Sequence, residues 1–409
     1  MFKIKTYLTF YLTIISTFSF GQKIENWIAP TLDSTTVNVV NLEINTIQNS
    51  NYLQPFLEKL YRIKHGSSIE KAIIVHLGDS HIQADMMTAV IRSQFQNYFG
   101  DAGRGLIFPY QVAKSNAPSD VFSNSKNSWK SSRITKQDTL IPRGISGFGI
   151  QSQDKNPEFN IGLRFINEDR SCFDKVNLFY GNNTSEILID YNENQRENVC
   201  LNESNDYTSI NLKSLTSTFK ITFPASDTIN FYGVSVEKNN EKGLIYHSIG
   251  ANGAKYSDYN KTSNFWKQLP KLKADCYVIS LGTNEAQDQN LTPDIFLADV
   301  KKTVDLIKIA TPNASIILVS PPISYYKKIK PNPILETMTQ AIKDFCFQNN
   351  LCFWDLFNVS KGLEGASNWK SLQLLRPDLV HFSKDGYVLQ GNLFLTAFSE
   401  LWNKFLPTK

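Results

Sequence analysis

Short apolar runs separated by turn residues dominate the pattern of hydrophobic positions along this chain. Three of these runs, Lys71–Leu77, Cys276–Leu281 and Ser315–Ser320, are rich in Val, Ile and Leu, and each ends at Gly or Pro. Runs of this kind are typical of strands buried on both faces, as in a parallel sheet. Two further strands are predicted near Leu244 and over Leu351–Trp354.

Apolar residues at helical spacing lie between these runs and predict a set of helices. The helices are expected from Pro55 to about Lys64, about Ala84 to Tyr98, Pro293 through Ile307, about Pro333 to Gln348, and about Ser383 to Phe405. Strands alternating with helices indicate an α/β fold, a parallel sheet with helices on both faces. Such sheets bind ligands beyond the carboxyl ends of their strands, where Gly78 and Gly282 begin turns.

The middle of the chain has a different pattern. From Phe159 to Glu237, short segments of alternating apolar and polar residues are punctuated by Asn, Asp, Gly and Pro. This alternation predicts antiparallel strands, and we expect a β-sandwich or jelly roll inserted in the α/β domain. Residues 101–158, rich in Gly, Ser, Asn and Pro, predict long loops close to the first turn.

These changes of pattern divide the chain. Lys3 and Lys5 precede an apolar stretch that ends at Phe20, which indicates a signal peptide over 1–21 that is cleaved near Gly21/Gln22. We therefore expect an exported protein, periplasmic or extracellular, without stable membrane insertion. The other predicted parts are an N-terminal segment (22–70), the α/β domain in two pieces (71–110 and 244–409) and an inserted loop region and β domain (111–243).

Composition and charge exclude two broad classes. The 409 residues carry a formal net charge of only +4 and are 41% hydrophobic. A disordered chain is excluded, and so is a basic nucleic-acid-binding surface. The five Cys do not have the spacing of a metal or redox motif; a bridge between Cys172 and Cys200 remains open, as does the oligomeric state.

Ser80 is the candidate nucleophile. It follows the first predicted strand and opens the following helix, so its hydroxyl is expected above the carboxyl edge of the sheet and its N–H near the helix terminus. The alternative is a simple N-cap, the commonest use of Ser at such a position.

His381 is the candidate base among five histidines. His76 and His247 lie inside predicted strands, and His81 is adjacent to Ser80, an arrangement that rarely permits proton transfer between the side chains. In the loop before the last helix, Asp378 precedes His381 by three residues, a spacing that lets the carboxylate orient the imidazole. A structural loop histidine with Asp378 capping a turn is the alternative.

Two further strand ends carry candidate oxyanion donors. Asn284 follows Gly282-Thr283, and its carboxamide can point into the crevice. Gly250 ends the strand near Leu244 and can offer a backbone N–H that no side chain obstructs. Either residue alone is more often part of turn chemistry.

Taken together, these blocks resemble the SGNH (GDSL-type) hydrolase superfamily over about 71–100 and 244–405. The resemblance implies a flavodoxin-like three-layer fold, Ser80 as nucleophile, Asp378 and His381 as the Asp-x-x-His pair, and an oxyanion hole of Ser80, Gly250 and Asn284. No metal or cofactor is expected. His81 replaces the usual Leu after the nucleophile, and Glu285 stands where Asp is frequent.

GDSHIQAD, YHSIGANGA and the inserted β domain resemble the Ape-type bacterial peptidoglycan O-acetylesterases. This resemblance implies removal of the C6 O-acetyl group of N-acetylmuramic acid by a Ser-His-Asp acyl-enzyme mechanism, and a β domain similar to a carbohydrate-binding module. The expected partner is an acetylated glycan, with peptidoglycan favoured. The alternatives are an esterase or transacetylase for another polysaccharide, such as xylan or capsule, and a non-catalytic glycan-binding protein.

Polar loops suit a glycan better than a long acyl chain, which needs an apolar lining. Within 101–158, Trp129 and Arg133 are candidates for stacking on and hydrogen-bonding a sugar, and Phe148 for lining the cleft. For Trp129 on a loop, packing is the commoner role.

Overall fold

A computed structural model of the chain describes residues 26–66, 69–136, 140–164, 172–181, 186–201, 206–224 and 228–406. The helices are α1 (Ser34–Val37), α2 (Gln54–His65), α3 (Ser80–Gln83), α4 (Met86–Phe99), α5 (Tyr256–Asn260), α6 (Ser263–Gln268), α7 (Pro293–Ala310), α8 (Ile334–Gln348), α9 (Leu356–Val359), α10 (Gly362–Ser371) and α11 (Lys384–Phe405).

The strands are β1 (Ile47–Gln48), β2 (Lys71–Gly78), β3 (Gly105–Ile107), β4 (Val121–Asn124), β5 (Lys130–Arg133), β6 (Phe148–Ser152), β7 (Glu158–Leu163), β8 (Phe173–Tyr180), β9 (Glu186–Tyr191), β10 (Gln195–Cys200), β11 (Tyr207–Thr216), β12 (Thr218–Thr222), β13 (Ile229–Glu237), β14 (Gly243–Gly250), β15 (Cys276–Ser280), β16 (Ser315–Val319), β17 (Tyr325–Tyr326), β18 (Lys330–Pro331) and β19 (Cys352–Trp354).

The predicted parallel sheet is present and has the strand order β1-β19-β16-β15-β2-β14. All strands from β19 to β14 run parallel, and only the two-residue β1 is antiparallel to its neighbour. The apolar runs of β15 and β16 are buried almost throughout because helices cover the sheet. Helices α2, α4 and α11 form one contacting group, and α5, α7 and α8 form another.

The antiparallel strands form two further sheets. One has the order β10-β9-β12-β7-β4 and the other β11-β8-β13-β6-β5, with β3 also paired to β13. Aromatic side chains join the two sheets: the ring centroids of Phe159 and Phe231 lie 5.0 Å apart, and those of Phe173 and Phe219 lie 5.6 Å apart. Two sheets packed through such side chains form a sandwich.

The sandwich interrupts the parallel sheet along the chain but not in space. β2 and β14 are neighbours in register from Lys71 with Gly243 to Gly78 with Gly250, although β3–β13 lie between them in sequence. The carboxyl ends of both strands therefore reach the same edge. Because β3 pairs with β13, Gly105–Ile107 joins the antiparallel sheet rather than the first α/β piece. The domain boundaries otherwise remain predictions.

The structure departs from the sequence predictions at one place and adds detail at two others. The helix predicted from about Ala84 to Tyr98 is present as α4 (Met86–Phe99), and the short helix α3 precedes it, with Asp85 between them in the left-handed region with φ 57°. Residues 101–158 contain β3–β6 as well as loops, since polar strands such as Lys130–Arg133 have no apolar alternation to reveal them. The bridge between Cys172 and Cys200, which the sequence left open, is absent because Cys200 is a free thiol.

The segment before the parallel sheet packs on the helices. Trp27 stacks on Tyr98 with ring centroids 5.1 Å apart and meets Phe95 edge-on at 4.9 Å. Its backbone exchanges two hydrogen bonds with the side chain of Asn403 in α11. This segment is therefore part of the body of the α/β region.

The predicted signal peptide and its cleavage point near Gly21/Gln22 lie outside the described residues. Within the described ranges, none of the helices combines the length and the apolar character needed to span a bilayer.

Candidate active site

The carboxyl end of β2 places Ser80 at the edge of the parallel sheet. After Gly78, Asp79 caps the four-residue helix α3 by accepting a hydrogen bond from the His81 N–H at 2.9 Å. Ser80 is the first residue of this helix and lines a cleft. The strand, the cap and the short helix together fix the direction of its hydroxyl.

The loop before α11 brings the predicted base to this hydroxyl. His381 Nε2 lies 2.8 Å from Ser80 Oγ, and His381 Nδ1 lies 3.1 Å from Asp378 Oδ2. If the Ser80 hydroxyl donates its hydrogen bond to Nε2, Nδ1 carries the imidazole proton and donates a hydrogen bond to the Asp378 carboxylate. These distances connect a hydroxyl, an imidazole and a carboxylate in the order that nucleophile activation needs.

The Asp-x-x-His turn is held by its own backbone. Asp378 Oδ1 accepts hydrogen bonds from the N–H groups of Val380 at 2.9 Å and His381 at 2.8 Å. Leu379 adopts the left-handed region with φ 58°, which tightens the loop. Partial burial opposes ionisation of Asp378, but the hydrogen bonds to its carboxylate prevail and lower its pKa below the ordinary value. Asp378 is therefore an anion facing the imidazole at neutral pH.

Asn284 also lines the cleft, but its amide is already engaged. Nδ2 donates to the carbonyl oxygen of Ala254 at 2.9 Å and to Asp79 Oδ2 at 3.2 Å. To donate to an oxyanion, the carboxamide must exchange one of these bonds, and the longer one to Asp79 is the weaker.

Gly250 lies against the backbone of the nucleophile helix. A Cβ atom at this position would stand 2.3 Å from Gln83 N and 2.6 Å from Asp79 O. Only glycine permits this approach of β14 to α3. Gly250 is thus next to the turn that carries Ser80, but it is not among the residues that line the described cleft.

Two buried carboxyl groups lie behind the cleft. Burial raises the pKa of Asp79 to about 7, although the hydrogen bond from the His81 N–H favours the charged form. Burial likewise raises the pKa of Glu285 to about 7, against the hydrogen bond from the Tyr256 N–H. Each group is therefore protonated over a wider pH range than an exposed carboxyl group.

Three of the other histidines have structural positions. His76 lies between Tyr246 OH at 2.8 Å and Ser280 Oγ at 2.7 Å. His247 Nδ1 accepts the N–H of Leu106 at 2.9 Å. His81 packs beside the His381 ring, and its Nδ1 lies 2.9 Å from Tyr387 OH. Burial lowers the pKa of His76, His81 and His247 to about 3, so all three are neutral at physiological pH.

The cleft has a volume of about 500 Å³, and most of the side chains that line it are polar. Asn116 comes from a loop within residues 101–158, and two hydrogen bonds from Gln83 Nε2, to Ser115 Oγ and Asn116 O, hold this loop beside α3. The lining residues are Ser80, Ala84, Asn116, Asn252, Gly253, Asn284, Arg376, Asp378, Val380, His381 and Tyr387.

The predicted sugar contacts lie elsewhere. Trp129 is buried against Phe159 at 5.5 Å, and Phe148 is buried against Phe108 at 5.3 Å. Arg133 donates from Nε to Thr135 Oγ1. None of these three candidates lines the described cleft. Both aromatic rings are instead buried against other side chains of the β-sandwich region.

Sequence reasoning missed Asn116, Asn252, Arg376 and Tyr387. Asn252 lies inside the quoted motif YHSIGANGA, and Arg376 lies two residues before Asp378, so their proximity in sequence to the candidate residues was the available signal. Asn116 had none, because only the folded loop brings it to the cleft.

Asp85, the last residue of the GDSHIQAD motif, anchors a buried ion network beside the site. Its Oδ2 lies 2.7 Å from both Arg92 Nη2 and Arg104 Nη2. Asp120 binds Arg104 Nε at 2.6 Å, and Ser248 Oγ donates to Asp85 at 2.8 Å. Burial disfavours the Asp85 charge, but the two guanidinium groups prevail and hold its pKa well below the ordinary value.

Across the described ranges, no group of three or more His, Cys, Asp and Glu side chains is arranged to hold a metal ion.

Residues 215–389 match the GDSL-like Lipase/Acylhydrolase family model. The match contains Gly250, Asn284, Asp378 and His381 but begins after Ser80, which the inserted strands separate from it in sequence. No curated protein gives a significant match.

Among solved structures, a peptidoglycan O-acetylesterase has 21% identity and a TM-score of 0.73, covering 90% of this chain and 98% of that one. A lipase/acylhydrolase from Enterococcus faecalis has 21% identity and a TM-score of 0.30, covering 39% and 78%. An acetylxylan esterase from Geobacillus stearothermophilus has 20% identity and a TM-score of 0.31, covering 38% and 72%. The predicted SGNH fold with an added β domain is confirmed, as is the carboxylic ester hydrolase class.

Proposed function

We propose that this chain, which carries a GDSL-like acylhydrolase domain, is a serine O-acetylesterase acting on a cell-wall glycan, with peptidoglycan as the favoured substrate. The observation that carries this proposal is the chain of contacts from Ser80 Oγ to His381 Nε2 at 2.8 Å and from His381 Nδ1 to Asp378 Oδ2 at 3.1 Å. The solved O-acetylesterase that shares the fold supports the choice of substrate.

In the proposed acylation step, Ser80 Oγ attacks the acetyl carbonyl carbon while its proton passes to His381 Nε2. Asp378 stabilises the imidazolium that forms, because it is ionised and hydrogen-bonded to Nδ1. The carbonyl π electrons move to oxygen. When the tetrahedral intermediate collapses, the bond to the sugar oxygen breaks, and His381 gives its proton to that oxygen. An acetyl group remains on Ser80.

Deacylation uses the same groups in reverse. Water attacks the acetyl-Ser80 carbonyl as His381 accepts its proton, and the proton then returns to Ser80 Oγ as acetate leaves. For both steps we propose that the oxyanion is received by the N–H groups of Ser80 and Gly250 and by Asn284 Nδ2. The position of Asn284 in the cleft and of Gly250 beside α3 supports these roles.

The lining of the cleft supports a short acyl group on a polar leaving group. Three asparagines and Arg376 offer hydrogen bonds, whereas a long acyl chain needs a contiguous apolar lining. Export, with cleavage near Gly21/Gln22, and an inserted glycan-binding β domain are parts of the same proposal, because a cell-wall glycan lies outside the cytoplasm.

Acetate release tests the proposal. The purified chain and its Ser80→Ala variant are assayed on p-nitrophenyl acetate, O-acetylated peptidoglycan and acetylated xylan. We expect acetate from peptidoglycan with the wild type and almost none with Ser80→Ala. Faster acetate release from xylan would show that xylan, and not peptidoglycan, is the preferred substrate. Transfer of the acetyl group to an added sugar acceptor would indicate a transacetylase. No release from any ester, together with no labelling of Ser80 by a serine-reactive probe, would leave a non-catalytic glycan-binding protein.

A further inference from the structure

The cleft contains one positively charged side chain that has no part in the proposed acyl-transfer chemistry. Its lining contains three residues that can be charged, Arg376, Asp378 and His381. Asp378 and His381 bind each other. Within the described lining, Arg376 is therefore the cation that the proposed acyl-transfer chemistry does not use.

The Arg376 guanidinium has no carboxylate from the described residues within ion-pair distance. Its side chain is exposed in the cleft. Three other arginines are paired with carboxylates: Arg92 and Arg104 are buried against Asp85, and Arg196 is paired with Asp190. Arg376 thus has its full set of donors available for a ligand.

The backbone of Arg376 is fixed in the turn that carries Asp378 and His381. Its N–H donates to the carbonyl of His381 at 2.8 Å, and its own carbonyl accepts the N–H of Leu379 at 2.8 Å. The guanidinium therefore extends from an anchored position two residues before Asp378. A ligand bound to it is held in register with the reacting groups.

Two amides supply neutral contacts in the same cleft. Asn252 Nδ2 donates to Asn116 Oδ1 at 2.9 Å, and the Asn252 N–H donates to Gln83 Oε1 at 2.7 Å. Asn116 Nδ2 and Asn252 Oδ1 have no partner among the described residues and are suited to sugar hydroxyls. Such contacts provide positioning without selecting for charge.

We infer that Arg376 is a specificity-determining residue that binds a carboxylate on the acetylated glycan. This inference rests on the proposed esterase function and narrows its substrate to an acidic one. The carboxylate can come from the lactyl or peptide acids of a peptidoglycan fragment or from a uronic acid of another polysaccharide. The recognition chemistry is the same in both cases, a guanidinium paired with a carboxylate.

The experiment compares matched substrates and matched variants. The substrates are an O-acetylated muropeptide, the same muropeptide with its carboxyl groups amidated, and acetylated xylan oligosaccharides with and without a glucuronic acid. The variants are Arg376→Gln, Arg376→Lys and, as a control for net charge, Lys384→Gln. Lys384 is exposed at the start of α11 and does not line the cleft.

We expect the wild type to prefer a carboxylate over its neutral counterpart by about 10- to 100-fold in kcat/KM, the range of charge-assisted hydrogen bonds. Arg376→Gln should bring this ratio close to one, Arg376→Lys should keep part of it, and Lys384→Gln should keep it in full. A larger ratio for the muropeptide pair identifies the peptidoglycan source, and a larger ratio for the xylan pair identifies the uronate.

The inference is overturned if the wild type does not discriminate or if Arg376→Gln keeps the wild-type ratio. Failure of the proposed function has a different result, because the wild type would then release acetate from none of these esters and no p-nitrophenol from p-nitrophenyl acetate.

Discussion

At the scale of single residues, the site depends on hydrogen bonds that are already made. The Ser80–His381–Asp378 contacts connect hydroxyl to carboxylate, whereas the Asn284 amide is occupied by Ala254 O and Asp79. The first set is assembled before any ester binds. The Asn284 contribution requires a rearrangement.

Replacement of Asn284 should therefore cost less activity than replacement of the nucleophile. We expect Asn284→Ala to lower kcat on p-nitrophenyl acetate by about 10²–10³, the usual loss for one oxyanion donor. Ser80→Ala should reduce it to the uncatalysed background. Steady-state kinetics of both variants, with circular dichroism to verify folding, make the comparison. Equal losses in the two variants would contradict the assigned roles.

Glu285 should make stability depend on pH. Its pKa is raised from the ordinary 4.5 to about 7, so the folded chain keeps a proton that the unfolded chain releases as pH rises through this window. Stability from this group is complete below about pH 4.5 and lost by about pH 7, a change of at most about 3 kcal/mol.

Glu285→Gln removes this titration while keeping a neutral side chain. Urea unfolding at pH 5 and pH 8 should show that the variant gains stability relative to the wild type at pH 8. Asp79 titrates in the same window but is present in both proteins. If the free energy of unfolding differs between wild type and variant by the same amount at both pH values, Glu285 is not protonated in the folded state.

At the scale of elements, the close approach of β14 to α3 sets the position of the nucleophile. Gly250 permits this approach because a Cβ would meet Gln83 N at 2.3 Å and Asp79 O at 2.6 Å. Both partners are backbone atoms, which cannot move aside as a flexible side chain can.

Gly250→Ala should displace α3 and lower both stability and turnover. We expect a loss of about 1–3 kcal/mol, as for overpacking in a core, with a lower kcat because Ser80 moves. The control is Gly147→Ala, whose φ of +77° is unfavourable for alanine but whose Cβ would meet no atom closer than 3.7 Å. Thermal melts and p-nitrophenyl acetate kinetics distinguish the two. Wild-type turnover in Gly250→Ala would show that α3 tolerates the shift.

Sequence patterns predicted the elements better than their ends and contacts. β2, β15, β16 and α7 agree with their apolar patterns because burial on both faces or on one helical face leaves a periodic record. The left-handed break at Asp85 leaves no such record, and its carboxylate binds Arg92, 7 residues later, and Arg104, 19 residues later.

At the scale of the whole molecule, buried charges connect the two kinds of sheet. Asp85 lies between α3 and α4, Arg104 precedes β3, and Asp120 precedes β4. The network therefore joins the helices beside the parallel sheet to the first strands of the sandwich. The two regions are expected to be stabilised together.

Asp85→Asn should leave two buried guanidinium groups with insufficient negative charge. We expect a loss of about 3–5 kcal/mol in the free energy of unfolding, as for other broken buried ion pairs. The control is Asp190→Asn, because Asp190 pairs with the exposed Arg196 and exposed ion pairs contribute little to stability. Urea denaturation measures both variants. Equal losses would show that the network adds no more than a surface pair.

The sequence by itself determined the features that depend on local spacing. The alternation of apolar runs and helices predicted the α/β fold, and the three-residue spacing of Asp378 and His381 predicted their contact. The fold class and the Asp378–His381 contact could be predicted because strand burial and tight turns leave patterns among residues that are close in sequence.

Only the tertiary structure decided which distant residues share the cleft. His381 and Ser80 meet across 301 residues, Asn116 arrives from a loop of the inserted region, and Trp129 is taken up by the sandwich core. The proposed role of Arg376 also depends on the tertiary structure, because only the folded chain shows that its guanidinium has no carboxylate partner among the described residues. These contacts depend on tertiary packing, which brings together residues that are far apart in the sequence.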